Sequence, residues 1–388
     1  MQFIDLAAQQ KRIKDKIDRN IQKVLAHGQY IMGPEIRELE KQLAYYVGVK
    51  HAIACSSGTD ALLLSLKAYD IGPGDAIITT PFTFIGTAEV ISLLGAIPIF
   101  VDIDPKTFNI DPEKLRQAIA ALRTGDAALH PLPGSLDTTE LTPRGVISVD
   151  MFGLPADYDR ISKIAEENRL FLIEDAAQSF GAEYKERKTC SFGDIACTSF
   201  FPAKPLGCYG DGGMCFTQDD HLADILSSLL FHGKGDNQYD NVRIGINGRM
   251  DTLQAGILRA KFEIFPDEIE KRQLVARHYS DRLASYPFIR PPHIPEGSKS
   301  AWAQYSVLAS DDMIRFKCRD KLQKEQIPTA VYYPKPLHLQ EAFAFLGYKI
   351  GDFPISEDAS KRIFSLPMHP YLTDEKQNTI VNSIAGIG

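Results

Sequence analysis

A single lysine, Lys204, stands in the stretch SFFPAKPLGCYGDGG (residues 199–213), between an aromatic, apolar run and a glycine-rich turn. A lysine held in apolar surroundings loses hydration, and this loss favours the neutral amine over the ammonium ion. The neutral amine is the form that attacks a carbonyl carbon. A solvated lysine on a surface loop is the common alternative. The stretch therefore indicates a nucleophilic lysine if the chain also holds a carbonyl cofactor.

Three other short segments carry residue types that could hold such a cofactor. Ser57, Gly58 and Thr59 begin a predicted helix, where free N–H groups, the helix dipole and two hydroxyls attract an anion; a plain N-cap is the alternative. Asp175 ends an apolar strand and could pair with a pyridinium nitrogen or cap a helix. Phe84 could cover a planar ring or pack in the core. Taken in chain order, the anion seat, the aromatic residue, the strand-end aspartate and the lysine form the set that a pyridoxal phosphate site requires.

Segments typical of strands alternate with segments typical of helices up to about residue 260. This alternation predicts right-handed crossovers and an α/β domain with a mostly parallel sheet. Ligand sites in such sheets lie beyond the carboxyl ends of the strands, which is where the cofactor segments fall. A long helix after residue 260 indicates a second unit, so we expect a large domain at residues 1–262, with an N-terminal helical segment, and a smaller α+β domain at residues 263–388.

The composition argues against several classes of protein. The 388 residues are 44% hydrophobic and 24% charged, which is ordinary for a globular protein of two or three packed units. The net charge of −7 argues against a nucleic-acid surface. The six cysteines form no C-x-x-C pair, which favours reduced thiols and no metal site. Without a signal-peptide pattern or an unbroken apolar tract, we expect a cytoplasmic protein that does not bind membranes.

Residues 123–141, RTGDAALHPLPGSLDTTEL, interrupt the alternation of strands and helices. Proline, glycine and threonine are frequent in this segment, and it shows no apolar period. The pattern predicts an exposed loop between a helix and the next strand. Deleting residues 125–139 is therefore expected to leave cofactor binding intact.

The chain resembles the nucleotide-sugar aminotransferases of the DegT type, which belong to the pyridoxal-phosphate-dependent transferases of fold type I. The resemblance runs from FIDLAAQQ to SLPMHPYL and includes GQYIMGPEIRELE, SSGTDAL, GINGRMDTLQAGIL and YYPKPLH. Its most specific part is EDAAQSFGA together with SFFPAKPLGCYGDGG. The resemblance implies a homodimer with shared active sites, which moves an amino group from L-glutamate to a keto-sugar nucleotide during surface-polysaccharide synthesis.

The resemblance also implies roles for individual residues. Lys204 would bond covalently to pyridoxal 5′-phosphate, and Asp175 would pair with the pyridine nitrogen of this cofactor. Gln178 would lie against the ring face or the 3-hydroxyl. The remaining implied contacts are those of Gly58, Thr59 and Ser199 with the phosphate, of Asn247 with the phosphate of the other subunit, of Phe84 with the ring, and of Gly28, Tyr30, Arg249 and Tyr333 with the nucleotide sugar.

The identity of the sugar is the open question at this stage. The planar cation of Arg249 suits a carboxylate or a phosphate, or forms a surface ion pair. We expect a UDP-linked 3-oxo-glucuronate with an N-acetyl group, and next a neutral 3- or 4-keto-6-deoxy sugar nucleotide. Relative to the member of this family that acts on the 3-oxo-glucuronate, Ala203 stands where a serine is expected, Tyr332 stands where a histidine is expected, and residues 123–141 are an insertion.

Two rival functions belong to other classes. A sugar dehydratase on the same scaffold would replace the lysine with histidine, and Lys204 argues against it. A non-catalytic sensor would keep the fold without reacting. An absorbance band of lysine-bound cofactor that glutamate bleaches would separate the enzyme from the sensor.

Overall fold

The computed structural model describes residues 1–237 and 239–387. Its helices are Leu6–His27 (α1), Pro34–Val47 (α2), Gly58–Ala68 (α3), Gly86–Leu93 (α4), Pro112–Thr124 (α5), Tyr158–Asn168 (α6), Asp220–Leu229 (α7), Thr252–Phe262 (α8), Phe265–Leu283 (α9), Asp312–Lys324 (α10), Pro354–Arg362 (α11) and Asp374–Ala385 (α12). Its strands are His51–Cys55 (β1), Asp75–Thr79 (β2), Ile97–Phe100 (β3), Thr142–Val149 (β4), Phe171–Asp175 (β5), Glu183–Tyr184 (β6), Arg187–Lys188 (β7), Ile195–Ser199 (β8), Gly213–Thr217 (β9), Ile289–Arg290 (β10), Ser298–Lys299 (β11), Tyr305–Ala309 (β12) and Ile363–Leu366 (β13). Short 3₁₀ turns lie at Thr138–Glu140, Met151–Gly153, Leu337–Leu339 and Glu341–Leu346.

Seven strands form the main sheet, in the order β1-β9-β8-β5-β4-β2-β3. The pairs from β8 to β3 are all parallel, and β9 runs antiparallel to both of its neighbours. The carboxyl ends of β1, β2, β4, β5 and β8 therefore share one edge of the sheet with the amino end of β9. We call this the carboxyl edge. The mostly parallel α/β sheet predicted from the sequence is confirmed.

The strands of this sheet are continuous apolar runs because helices cover both faces. Ile147 of β4 and Ile173 of β5 lie in the core on one face, while their chain neighbours Val146 and Leu172 lie in the core on the other. Successive side chains of a strand point to opposite faces, so both sets must be apolar.

A smaller unit follows the large sheet in the chain. Strands β10, β12 and β13 form an antiparallel sheet. Helices α9, α10 and α12 pack on it around a core of its own that includes Tyr279, Val307 and Ile380. The boundary predicted between residues 262 and 263 falls between the end of α8 and the start of α9. We propose that the second domain begins with α9.

The prediction that residues 123–141 form an exposed loop is wrong for the middle of this segment. His130 is buried, and its Nε2 lies 2.7 Å from the carbonyl oxygen of Phe100. The Ser135 N–H donates to the carbonyl oxygen of Leu346 at 3.2 Å. Leu136 packs against an apolar cluster that includes residues of the segment 337–353: Leu337, Phe343, Leu346, Tyr348 and Phe353. Residues 130–138, which we call the anchored segment, are therefore fixed by isolated side chains that form no regular pattern.

Candidate active site

The carboxyl edge gathers the segments that the sequence singled out for a cofactor. Residues 57–59 follow β1, and Phe84 follows β2. Asp175 ends β5, and the loop that carries Lys204 follows β8. These segments are far apart along the chain, and the strand order of the sheet places them together.

Close backbone packing surrounds the start of α3. The Ser57 hydroxyl accepts a hydrogen bond from the Asp60 N–H at 3.0 Å, so Ser57 is the N-cap of this helix. A Cβ added to Gly58 would lie 2.7 Å from the Ser199 Cβ, and one added to Gly213 would lie 2.2 Å from the Ser57 carbonyl oxygen. Only glycine permits this approach of the ends of β8 and β9 to the helix start. The N-cap is therefore compatible with an anion site here, because the first turn keeps further free N–H groups.

Asp175 is a buried carboxylate with few hydrogen-bond donors. The Thr87 hydroxyl donates to its Oδ2 at 2.8 Å, and the Ala177 N–H donates to its Oδ1 at 3.2 Å. Burial raises the pKa of Asp175, and these two hydrogen bonds and the charge of Lys204 oppose the rise. A cation beside the carboxylate would stabilise its charged form. A protonated pyridine nitrogen is such a cation.

The amine of Lys204 lies close enough to Asp175 for their charges to interact. Burial lowers the pKa of Lys204, and the Asp175 charge opposes this. The surrounding loop is closed by backbone hydrogen bonds: the Phe200 N–H donates to Gly212 O at 2.7 Å, and the Cys208 N–H donates to Phe200 O at 2.8 Å. The loop thus holds a desolvated amine at the carboxyl edge.

Gln178 joins two neighbouring turns and a distant segment. Its Oε1 accepts from the Phe152 N–H at 2.9 Å, and its Nε2 donates to the Tyr333 hydroxyl at 3.4 Å. Burial raises the pKa of Tyr333, and the charge of Asp175 adds to this effect. Tyr333 therefore lies at the same edge as Asp175.

Phe84 is an exposed aromatic residue beside the start of α3. Its side chain is 56% exposed, so core packing, the alternative considered from the sequence, does not describe it. A Cβ added to Gly86 would lie 3.0 Å from the Phe84 ring and 3.3 Å from the Thr59 hydroxyl. The ring therefore stands near Thr59, with a free surface.

The residues expected to meet the sugar lie on two paired segments. Gly28 ends α1 with φ of +70°, a conformation that glycine adopts without strain. Tyr30 follows and is half-exposed. Its neighbour Ile31 forms a β-bridge with Asp251. This antiparallel bridge places Tyr30 opposite Thr252, whose N–H donates to the Tyr30 carbonyl oxygen at 2.8 Å. The Tyr30 segment thus pairs with the residues that follow Arg249 in the chain, which the sequence alone did not show.

Arg249 lies beside the carboxyl end of β1, where it forms a bridge with Cys55. Its guanidinium stands 5.3 Å from the centre of the Phe231 ring. Its Nε donates to the Asn247 Oδ1 at 2.9 Å, so Asn247 contacts Arg249 of its own chain. A contact of Asn247 with the phosphate of another subunit stays a prediction.

Thr87 and Phe152 contact the candidate residues Asp175 and Gln178, and sequence reasoning missed both contacts. Thr87 lies in the PFTFIGT segment singled out for Phe84, but its bond to Asp175 depends on the neighbouring positions of α4 and β5. Phe152 has a left-handed φ of +60°, and its backbone, rather than its side chain, contacts Gln178. A backbone contact leaves no residue-type signal in the sequence.

The residues present fit pyridoxal phosphate. The glycine-lined start of α3 suits the phosphate, buried Asp175 suits a protonated ring nitrogen, and the desolvated Lys204 amine suits a covalent bond. When bound, the cofactor supplies a carbonyl carbon and an electron-withdrawing ring. In the described part of the chain, no group of His, Cys, Asp or Glu could hold a metal ion. No helix there is long and apolar enough to cross a membrane.

The doubly covered α/β sheet, with a desolvated lysine and a buried aspartate at its carboxyl edge, defines a pyridoxal-phosphate-dependent transferase of fold type I. The family model described as DegT/DnrJ/EryC1/StrS aminotransferase family matches residues 11–385. The chain belongs to this family, and it is a sugar aminotransferase.

Individual relatives agree with this assignment. The chain is 47% identical over 374 residues to the UDP-2-acetamido-2-deoxy-3-oxo-D-glucuronate aminotransferase of Pseudomonas aeruginosa, covering 96% of each chain. It is 49% identical to a solved DegT DnrJ EryC1 StrS aminotransferase from Brucella abortus, with a TM-score of 0.93 and coverage of 100% and 99%. NtdA from Bacillus subtilis, solved with bound cofactor PMP, is 27% identical with a TM-score of 0.84, covering 97% of this chain and 82% of its own.

Proposed function

We propose that this aminotransferase moves an amino group from L-glutamate to UDP-2-acetamido-2-deoxy-3-oxo-glucuronate in the cytoplasm, for surface-polysaccharide or lipopolysaccharide synthesis. The observation that carries the choice of sugar is Arg249. It is half-buried at the site, and among the described residues its guanidinium forms no ion pair with a carboxylate. Its partner Asn247 is a neutral amide. A sugar carboxylate would be a stronger, bidentate partner.

We also propose that the active enzyme is a homodimer. Several apolar side chains near the site are about half-exposed or more in the single chain: Tyr30, Ile31, Phe84, Phe201 and Ile244. Exposed apolar surface of this kind is typical of an interface, and a second copy is the simplest partner to cover it. Asn247 is itself exposed and available to such a partner.

The residues of the site would divide the work as follows. Asp175 keeps the ring nitrogen of the cofactor protonated, because a buried carboxylate stabilises a neighbouring cation. Lys204, once its amine is free, carries a proton between the substrate carbon and the cofactor in each half of the reaction. Tyr30, Arg249 and Tyr333 hold the nucleotide sugar, and Gly28 gives the segment of Tyr30 room to turn.

The identity of the sugar substrate is tested by single-turnover kinetics of the pyridoxamine form of the enzyme. The two substrates compared are the 3-oxo-uronate and a neutral 4-keto-6-deoxy sugar nucleotide. Hydrogen bonds to charged groups contribute about 1.5–3 kcal/mol, so Arg249→Ala should slow the uronate reaction about 10- to 150-fold and leave the neutral sugar unaffected. Arg249→Lys should be nearly as slow as alanine because lysine lacks the planar fork. Arg243→Ala, at an exposed arginine nearby, is the control. A faster reaction with the neutral sugar, unchanged in Arg249→Ala, would exclude the uronate.

The dimer is tested by mixing two inactive variants, Lys204→Ala and Asn247→Ala. If Asn247 acts across the interface, a hybrid dimer contains one complete site and regains part of the activity. If Asn247 acts within its own chain, no hybrid site is complete and the mixture stays inactive. Light scattering on the wild type gives an independent check, since a fully active monomer would refute the shared site.

A further inference from the structure

Two fully buried carboxyl groups, Asp150 and Glu174, lie behind the cofactor aspartate. Glu174 directly precedes Asp175 in β5, so its side chain points to the opposite face of the sheet. Ser148 of β4 is paired with Glu174, and Asp150 stands two residues after Ser148. By the alternation of side chains in a strand, Asp150 and Glu174 share one face and are neighbours.

The two carboxyl groups receive hydrogen bonds of different number and kind. Asp150 accepts from the Ala156 N–H at 2.9 Å, the Tyr158 hydroxyl at 2.7 Å and the Ser179 hydroxyl at 2.7 Å. Glu174 accepts from only two donors, the backbone N–H groups of Cys190 and Phe192, at 2.7 and 2.8 Å. Three donors stabilise a carboxylate more than two, so Asp150 is the better site for the negative charge.

In the described part of the chain, no cation forms an ion pair with either group. The side chains around the pair are Tyr158 of α6 and Ser179 after β5, whose hydroxyls bind Asp150, and the Cys190 thiol after β7. Burial raises the pKa of Cys190, and the charges of Glu174 and Asp150 raise it further. Burial raises the pKa of Asp150 to about 7 despite its donors. Burial and the Asp150 charge raise the pKa of Glu174. Two negative charges are therefore disfavoured here at neutral pH, and the carboxyls lie within hydrogen-bonding reach.

The pair is connected to the site through two turns. The Asp150 N–H donates to the carbonyl oxygen of Asp175 at 3.1 Å. Ser179, bound by the Asp150 carboxylate, directly follows Gln178. Phe152, two residues after Asp150, donates its N–H to Gln178. Asp150 thus holds together the two turns from which Asp175 and Gln178 face the cofactor.

We propose that Asp150 and Glu174 form a proton-sharing carboxyl pair, with Glu174 as the acid and Asp150 as the carboxylate, and that this pair positions Asp175 and Gln178. Both are positioning residues, since neither faces the cofactor directly. The proposal rests on the aminotransferase site and is independent of which sugar is accepted.

The first test is infrared spectroscopy of the holoenzyme at pH 8, where exposed carboxyl groups are ionised. We expect the C=O stretching band of a protonated, buried carboxyl in the wild type and its loss in Glu174→Gln. This readout uses no substrate, so it is unaffected if the proposed sugar is wrong. A wild type without the band, or a band that persists in Glu174→Gln, would overturn the proposal.

The second test compares two isosteric variants by the pH titration of the lysine-bound cofactor absorbance. Glu174→Gln keeps a neutral donor beside Asp150, so the midpoint should stay unchanged and kcat should stay within about threefold. Asp150→Asn removes the negative charge behind Asp175. The midpoint should then fall by about 0.5 pH unit or more, because the cationic form loses stabilisation. An unshifted midpoint in Asp150→Asn would contradict the proposal. If that variant does not fold by circular dichroism, the infrared band alone decides.

Discussion

The carboxyl edge and the anchored segment both have a fixed backbone, but different contacts fix it in the two regions. At the edge, glycines let backbones approach one another, as where Gly213 meets Ser57. In the anchored segment, single side chains such as His130 and Leu136 hold a stretch with almost no regular structure. The difference teaches that a site made of several short segments, each contiguous and each at a strand end, is visible in a sequence, whereas a segment fixed by scattered side chains is not.

The largest effect should come from the edge. Lys204→Ala removes the nucleophile and the proton carrier together, so turnover should fall more than about a thousandfold. Cofactor binding should persist, because the start of α3 and Asp175 are unchanged. Steady-state kinetics and equilibrium dialysis of the cofactor measure both. Lys335→Ala, at an exposed cation, is the control. Turnover within tenfold of wild type would disprove the role of the lysine.

A second variant tests whether close backbone packing is what the edge requires. A Cβ on Gly213 would lie 2.2 Å from the Ser57 carbonyl oxygen, so Gly213→Ala forces the start of α3 to move. We expect a loss of about 1–3 kcal/mol of unfolding free energy and weaker cofactor binding. Gly256→Ala, in α8, is the matched control because its Cβ would have no atom nearer than 3.7 Å. If both variants lose the same unfolding free energy and the same cofactor affinity, close backbone packing at the carboxyl edge is not what the site requires.

A third variant tests the anchored segment. His130→Ala removes the contact with the Phe100 carbonyl oxygen and should lower the free energy of unfolding by about 1–3 kcal/mol. Because the segment 337–353 follows Tyr333, KM for the sugar should rise while kcat changes little. Chemical denaturation and kinetics measure these effects, with Leu129→Ala at the exposed neighbour as the control. Deletion of residues 125–139 should also destabilise the protein, contrary to the expectation for an exposed loop.

The smallest effect concerns pH. Burial lowers the pKa of His130, and its bond to Phe100 opposes this. The unfolded chain therefore binds a proton near the ordinary value of 6.5 before the folded chain does, and stability is lost as the pH falls below that value. His130→Gln should flatten this loss by at most about 1.4 kcal/mol per pH unit between pH 6.5 and 5. Urea unfolding at pH 7 and 5 measures it, with exposed His221→Gln as the control. If the free energy of unfolding changes equally with pH in both variants, His130 is not the group responsible for the loss of stability.

The sequence predicted what depends on neighbouring residues. Strand–helix alternation gave the parallel sheet, and the strand-end positions of Asp175 and Lys204 gave one shared edge. The pairing of Tyr30 with Thr252 and the bond from Thr87 to Asp175 depend on how distant elements pack. The burial of His130 depends on the 337–353 segment, where the Phe353 ring centre lies 6.0 Å from that of His130. No sequence pattern in the insertion indicates this contact. Contacts between residues that are far apart in the chain produce no periodic pattern in the local sequence, so sequence reasoning does not predict them.

The bond between Gln178 and Tyr333 joins residues that are 155 positions apart. A ribosome makes the chain from the N-terminus, so Lys204, Asp175 and the start of α3 emerge well before Tyr333. The carboxyl edge can therefore assemble on the nascent chain while one wall of the site is still being synthesised. Full closure of the pocket becomes a late event of biosynthesis, and a ribosome stalled before residue 333 would present an edge that is formed but open.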